Sequence, residues 1–94
     1  MKNIIWYLFA GTRGGETRCK IINVLLRKPM NANQLAVHLN LDYKTIQHHI
    51  EILEENRLVN SINKGAYGAI YFISSLMKEN IVTFGEIWER FGKK

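Results

Sequence analysis

The sequence predicts a small α+β fold, mainly helical. A three-helix core carries a β-hairpin, framed by an N-terminal strand and a C-terminal helix. Three observations predict it. The stretch NANQLAVHLNLDYKTIQHHIEILEENRLV, Asn31 to Val59, holds two apolar patterns of helical spacing separated by a residue suited to a sharp turn. A Gly-rich turn then divides two runs of strand-forming residues. Ahead of both lies a helical pattern that is apolar over a wide arc and closes at Pro29.

The chain begins with residues 1–13, whose Ile4 to Ala10 run, IIWYLFA, is continuous and apolar. It is too short to cross a bilayer. GTRGGETR follows it where a signal peptide would have a small-residue cleavage site. Ile, Trp, Tyr and Phe favour strands, so a β-strand is expected, with a short buried helix as the alternative. An uncovered apolar strand would aggregate, so its own domain or a second subunit must cover it. Burial, more than stacking on a base or ligand, accounts for Trp6 and Tyr7. Gly14 and Gly15 make a turn into the next helix, and GTRGG lacks the Lys-Ser or Lys-Thr of a nucleotide-binding loop. Arg13 suits a phosphate contact, with a simply solvated surface arginine as the alternative.

The helix expected from Glu16 to Arg27 buries Cys19, Ile21, Ile22, Val24, Leu25 and Leu26, with Lys20, Asn23 and Arg27 on a narrow polar strip. One three-helix core would not need so wide an arc. A second face must pack on the N-terminal segment or on another subunit.

Leu35, Ala36 and Leu39 mark the following helix, and small Ala36 lets the next one cross closely. Asn40 tolerates the left-handed turn, and Asp42 is a good N-cap. At about 100° per residue, Ile46, Ile50 and Leu53 face inward with His49 at their edge. Lys44, Gln47, His48 and Glu51 face the other way. Gln pairs bidentately with adenine, and Lys donates to guanine O6 or N7. Glu51, Glu54 and Glu55 make the later turns acidic, so only the N-terminal half of this helix suits a groove lined by phosphates. The plain alternative is a solvated helix face.

NSINKGAYGAIYFIS reads as two strands about a turn at Lys64 to Gly68, with the second arm at Ala69 to Ile73. A hairpin placed directly after such a helix is a wing. Lys64 at its tip suits a phosphate and Tyr67 suits sugar or backbone contact; a hairpin that only covers the core is the alternative. The whole is a winged helix-turn-helix. It is expected as one domain over 1–94, with the core at 16–73 and a C-terminal helix at 75–92. In that last helix Met77, Ile81, Phe84, Trp88 and Phe91 recur at spacings of four and three. The stripe suits a dimer arm or packing on its own domain. Thr83 and Glu86 form a possible capping box, which would start the helix later.

An apolar fraction of 47% excludes a disordered chain. The net charge of +5 favours an anionic partner. Lys2, Arg13, Arg18, Lys20, Arg27 and Lys28 face Glu16 alone in the first third, so sequence-independent attraction falls there and on the wing. A single cysteine makes no intrachain disulfide, as expected of a cytoplasmic chain. No enzyme is expected, because no nucleophile has an arguable base. Adjacent His48 and His49 diverge on a helix and cannot chelate one ion together, and His38 and His49 are better placed as structural histidines.

The block TRCKIINVLLRKPMNANQLAVHLNLDYKTIQHHIEILEENRLV resembles the winged-helix repressors of the ArsR-like class. Thr17, Arg18, Leu35, Ala36, Thr45, Ile46, His48, His49, Ile50, Leu58 and Val59 carry the resemblance. GTRGG, NANQLA and DYKTIQHH are closer still to small archaeal-type members. The resemblance implies a DNA-binding transcriptional regulator, usually homodimeric, that reads the major groove with a helix at 43–56. It places Tyr43, Lys44, Thr45, Gln47, His48 and Lys64 on DNA. With the basic first third and the wing, the expected DNA set adds Arg13, Arg18 and Tyr67. The apolar runs give Ile5, Trp6, Tyr7, Ile81, Phe84, Trp88 and Phe91 as the expected dimer interface. Metal-sensing members carry paired cysteines; here Cys19 stands alone, so no metal or other cofactor is expected. The regulator would sit in the cytoplasm, on the nucleoid. A winged helix that binds protein in a transcription or chromatin assembly is the rival reading. A small-ligand sensor is a third, for which the sequence offers no pocket.

Overall fold

The computed structural model describes residues 2–63 and 68–92. Lys64 and Tyr67, assigned above to the wing tip, lie outside the described residues, as does most of the turn that carries them. The order is α1 (Lys2–Phe9), α2 (Gly15–Arg27), β1 (Met30–Asn31), α3 (Ala32–Leu39), α4 (Tyr43–Glu55), β2 (Val59–Ile62), β3 (Ile70–Ile73), α5 (Ser75–Glu79) and α6 (Ile81–Arg90).

The N-terminal segment is a helix and not the favoured strand. Ile5, Leu8 and Phe9 are its buried residues, and their spacing of three and four is the helical one. A strand would have sent Ile5, Tyr7 and Phe9 to one side, yet Tyr7 is 58% exposed. Burial of one helical face against α2 and α6 overrides the strand preference of the residue types.

Gly14 turns the chain with φ +87° and caps α2, which then runs to Arg27 before Pro29. At Gly15 a Cβ would stand 2.5 Å from the Phe9 carbonyl oxygen, so the close approach of α1 to α2 requires glycine there. The wide apolar arc of α2 is used within the chain, against α1, α3, α4, α6 and β3. Only Leu26 of that set stays exposed.

Asn31 and Gln34 form a capping box at the start of α3, each side chain bonded to the other's backbone N–H at 2.8 Å. Asn40 ends the helix in the left-handed region, φ 56°. The Asn40 N–H donates to the Val37 carbonyl and the Leu41 N–H to the Ala36 carbonyl, the paired bonds of a Schellman ending. Asp42 does occupy the N-cap position of α4, but its carboxylate accepts from the Thr45 hydroxyl and from no helix N–H. At the far end of α4 a second Schellman ending forms. Arg57, φ 62°, donates its N–H to the Glu54 carbonyl, and Leu58 donates to Leu53.

The hairpin pairs β2 with β3, Val59 opposite Ile73 and Ile62 opposite Ile70. The sequence reading missed β1, which adds to the other side of β3 and makes a three-stranded antiparallel sheet of order β1-β3-β2. The C-terminal segment is two helices and not one. The Ser74 hydroxyl accepts the Met77 N–H to begin α5, and the Asn80 side chain donates to the Leu76 carbonyl to close it. Thr83 caps nothing; it is buried inside α6. The apolar stripe divides accordingly. Met77 and Phe84 are core, joined there by Ile87 from outside the stripe, while Ile81, Trp88 and Phe91 are half-buried at its margin.

Candidate nucleic-acid interface

Helix α4 is held by one face. Ile46, Ile50 and Leu53 are fully buried, and His49 is nearly so. This leaves Tyr43, Lys44 and His48 exposed in the first two turns, with Glu51 and Glu55 exposed further on. Thr45 is half-buried and spends its hydroxyl on Asp42. Glu54 accepts from the Ser61 hydroxyl at 3.1 Å, which ties the acidic half of α4 to the wing strand.

Gln47 is half-buried, and its Oε1 is enclosed with no hydrogen-bond partner. Pairing with adenine needs both the amide oxygen and the amide nitrogen. In this rotamer the oxygen is turned inward, so the amide must rotate to read a base. An orphaned buried acceptor costs about 1–3 kcal/mol, so a partner outside the chain would favour that rotation.

A concavity of about 470 Å³ opens between the start of α3, the start of α4 and the wing. Asn31, Ala32, Asn33, Tyr43, Gly68, Ala69 and Tyr71 line it. Helix α4 and the wing therefore face a common hollow, a juxtaposition that sequence spacing did not reveal.

Arg18 is the main departure from the expected site. It is 3% exposed and cannot reach a phosphate. Its Nε donates to the Leu8 carbonyl at 2.9 Å, Nη1 to His49 Nδ1 at 3.1 Å, and Nη2 to the Thr12 hydroxyl and, at 3.3 Å, to the Arg13 carbonyl. Burial depresses its pKa. His49 accepts at Nδ1, so its proton sits on Nε2. Burial, then the charges of Arg18 and His48, push the His49 pKa down to about 4. Arg13 keeps its side chain exposed. Burial also lifts the Cys19 thiol to about 12, which leaves it unreactive at neutral pH.

Helices α1 and α6 pack together, and this joins the two apolar runs. Ile5 and Phe84, expected at a dimer interface, are consumed in the chain's own core. Phe84 meets Phe9 edge-on at 5.4 Å between centroids. Trp6, Ile81, Trp88 and Phe91 remain half-buried, Tyr7 remains exposed, and Val82, which spacing did not single out, is 75% exposed. The Arg90 guanidinium stands 5.1 Å from the Trp6 ring centroid and links the two helices. No group of three or more His, Cys, Asp or Glu suited to a metal occurs among the described residues. None of the described helices is long and apolar enough to cross a membrane.

A helix-turn-helix whose second helix exposes a short polar face beside a three-stranded wing defines a winged helix-turn-helix protein. Two solved structures share the fold: reduced HlyU from Vibrio cholerae N16961, at TM-score 0.69 and 21% identity over 96% of this chain and 87% of that one, and the transcriptional regulator BldR from Sulfolobus solfataricus, at TM-score 0.74 and 16% identity over 96% and 65%. Residues 15–61 match the model of the bacterial regulatory proteins of the arsR family, and the chain belongs to that family. It is 34% identical over 56 residues to the transcriptional repressor SdpR of Bacillus subtilis (strain 168), a match that spans 60% of this chain and 60% of that relative.

Proposed function

We propose that this chain is a sequence-specific duplex-DNA-binding transcriptional repressor that works as a homodimer. Besides family membership, one observation carries the reading. The first two turns of α4 present Tyr43, Lys44 and His48 to solvent, while the opposite face anchors the helix in the core. A recognition helix needs both a rigid seat and a polar leading end. Lys44 and His48 donate to bases or phosphates, and Gln47 turns its amide to meet an adenine. The exposed Glu51 and Glu55 keep the later turns away from the phosphates. The backbone of the duplex runs along the hollow between α3, α4 and the wing, and the exposed Arg13, with Lys64 and Tyr67 by their place in the sequence, adds contacts that position without specifying.

The winged-helix core, 16–73, reads the DNA, and the flanking helices assemble the dimer. A second copy covers the α1–α6 face at Trp6, Tyr7, Ile81, Trp88 and Phe91. Such a two-fold sets the recognition helices about one turn of DNA apart, roughly 34 Å. The similar Bacillus protein is named a repressor, and that sense of regulation is carried over here. The protein needs no cofactor for this role, performs no chemistry, and acts in the cytoplasm on the nucleoid.

Selection of bound fragments from a genomic duplex library tests the reading. The expected outcome is enrichment of an inverted repeat. No enrichment, together with no duplex binding in low salt, would remove the repressor reading.

A further inference from the structure

We infer that Arg18 is a positioning residue for the DNA-reading helix, acting through His49, and that it makes the seat of α4 answer to helix α1. This rests on the DNA-binding reading of α4 given above. Arg18 joins the end of α1 and the turn after it to α4, 31 residues further along the chain. Its guanidinium donates to the Leu8 carbonyl near the end of α1, to Thr12 and the Arg13 carbonyl in the following turn, and to His49 on α4. All these acceptors are neutral. A buried guanidinium with no carboxylate among them is costly, and an apolar side chain of similar length would pack there with less penalty. What the guanidinium supplies is direction. Its planar fork fixes the angles among its partners, which no aliphatic chain does.

The bond to His49 reaches the reading surface in one step. The His48 ring sits edge-on to His49, with centroids 5.1 Å apart and planes at 63°. His48 is exposed on the DNA side of α4, while His49 is enclosed. The path therefore runs from the Leu8 carbonyl through Arg18 and His49 to His48. Gly14 guards it, because a Cβ there would lie 2.6 Å from His49 Cε1 and 3.2 Å from Arg18 Nη1. Helix α1, which carries the Leu8 end of this path, also packs on α6.

Two substitutions at His49 separate positioning from packing. His49→Phe keeps a planar ring, somewhat larger than imidazole, and loses the acceptor, which leaves Arg18 Nη1 without its His49 partner. His49→Asn loses volume but holds an oxygen where Nδ1 stood. Affinity for the selected operator and for a scrambled duplex is measured by fluorescence anisotropy, under conditions where circular dichroism finds each variant fully folded. Positioning through the Arg18 bond predicts that Phe lowers operator affinity at least tenfold, that Asn stays within about threefold, and that neither moves the scrambled duplex. It also predicts that the losses of Arg18→Met and His48→Ala are less than additive when combined. Amide exchange in α1 should rise in Arg18→Met. A packing role predicts the reverse order, with Asn worse than Phe, and that order overturns the inference. Wild-type affinity in a folded His49→Phe also overturns it while leaving the DNA reading intact. A wild-type chain that binds no duplex defeats both.

Discussion

Acid should weaken this fold through one side chain. His49 is neutral in the folded chain because its Nδ1 accepts from a buried guanidinium and its pKa is pushed down to about 4, against 6.5 for an ordinary histidine. The unfolded chain takes up a proton as pH falls through about 6.5, and the folded chain resists until about 4. The stabilisation is thus complete above pH 6.5 and is lost progressively as pH falls toward 4. Linkage gives a loss of about 2 kcal/mol by pH 5 and about 3 kcal/mol by pH 4. Marginal domains hold roughly 5–15 kcal/mol in all, so the effect is large. Urea unfolding followed by tryptophan fluorescence at pH 7 and pH 5 measures it, in a range where most carboxylates remain ionised. With m of roughly 1–2 kcal/mol/M, the wild-type midpoint should fall by about 1–2 M. His49→Phe has no proton to gain, and its midpoint should move far less over the same interval. Equal shifts in the two proteins would refute the reasoning, because the acid sensitivity would then lie elsewhere.

Three further outcomes follow from the backbone and the α1–α6 face. Gly14→Ala should destabilise by about 2 kcal/mol or more in urea, since it adds left-handed strain at φ +87° to a Cβ 2.6 Å from His49 Cε1. Arg57→Gly should stabilise by about 0.5–1 kcal/mol, because relief at φ 62° exceeds the added freedom of the unfolded chain and the Arg57 side chain is exposed. Trp88→Ala combined with Phe91→Ala should shift sedimentation at micromolar concentration from dimer to monomer, or leave the protein insoluble. Dimers unchanged by this pair would place the assembly surface elsewhere.

What the sequence disclosed, it disclosed through local spacing. Asn40 adopts the left-handed turn expected of it, and Ile46, Ile50 and Leu53 form the buried face of α4. The capping box at Asn31 and Gln34 was equally legible in N-A-N-Q but went unread. Residues 4–10 misled because residue type favoured a strand, while the three-and-four spacing of Ile5, Leu8 and Phe9 is visible only once a partner face is known. Arg18 misled for a different reason. As a cation in a basic first third it suggested a phosphate contact, but the acceptor that draws it inward to α4, His49, lies 31 residues away, beyond any window of periodicity. The C-terminal stripe implied one helix, and the break at Asn80 depends on a side chain that bonds back to Leu76. The inward turn of Gln47 Oε1 is a rotamer, and no pattern of residue types specifies it.

The central claim is that the leading turns of α4 read base edges. Fluorescence anisotropy with the selected operator and a scrambled duplex of equal length, at a single stated salt concentration, tests it most directly. The account predicts a strong preference for the operator, on the order of a thousandfold or more. It also predicts that Gln47→Ala removes about 1–3 kcal/mol from the operator alone and leaves the scrambled duplex unchanged. Equal affinity of the wild-type chain for both duplexes, or equal loss on both from Gln47→Ala, would contradict it.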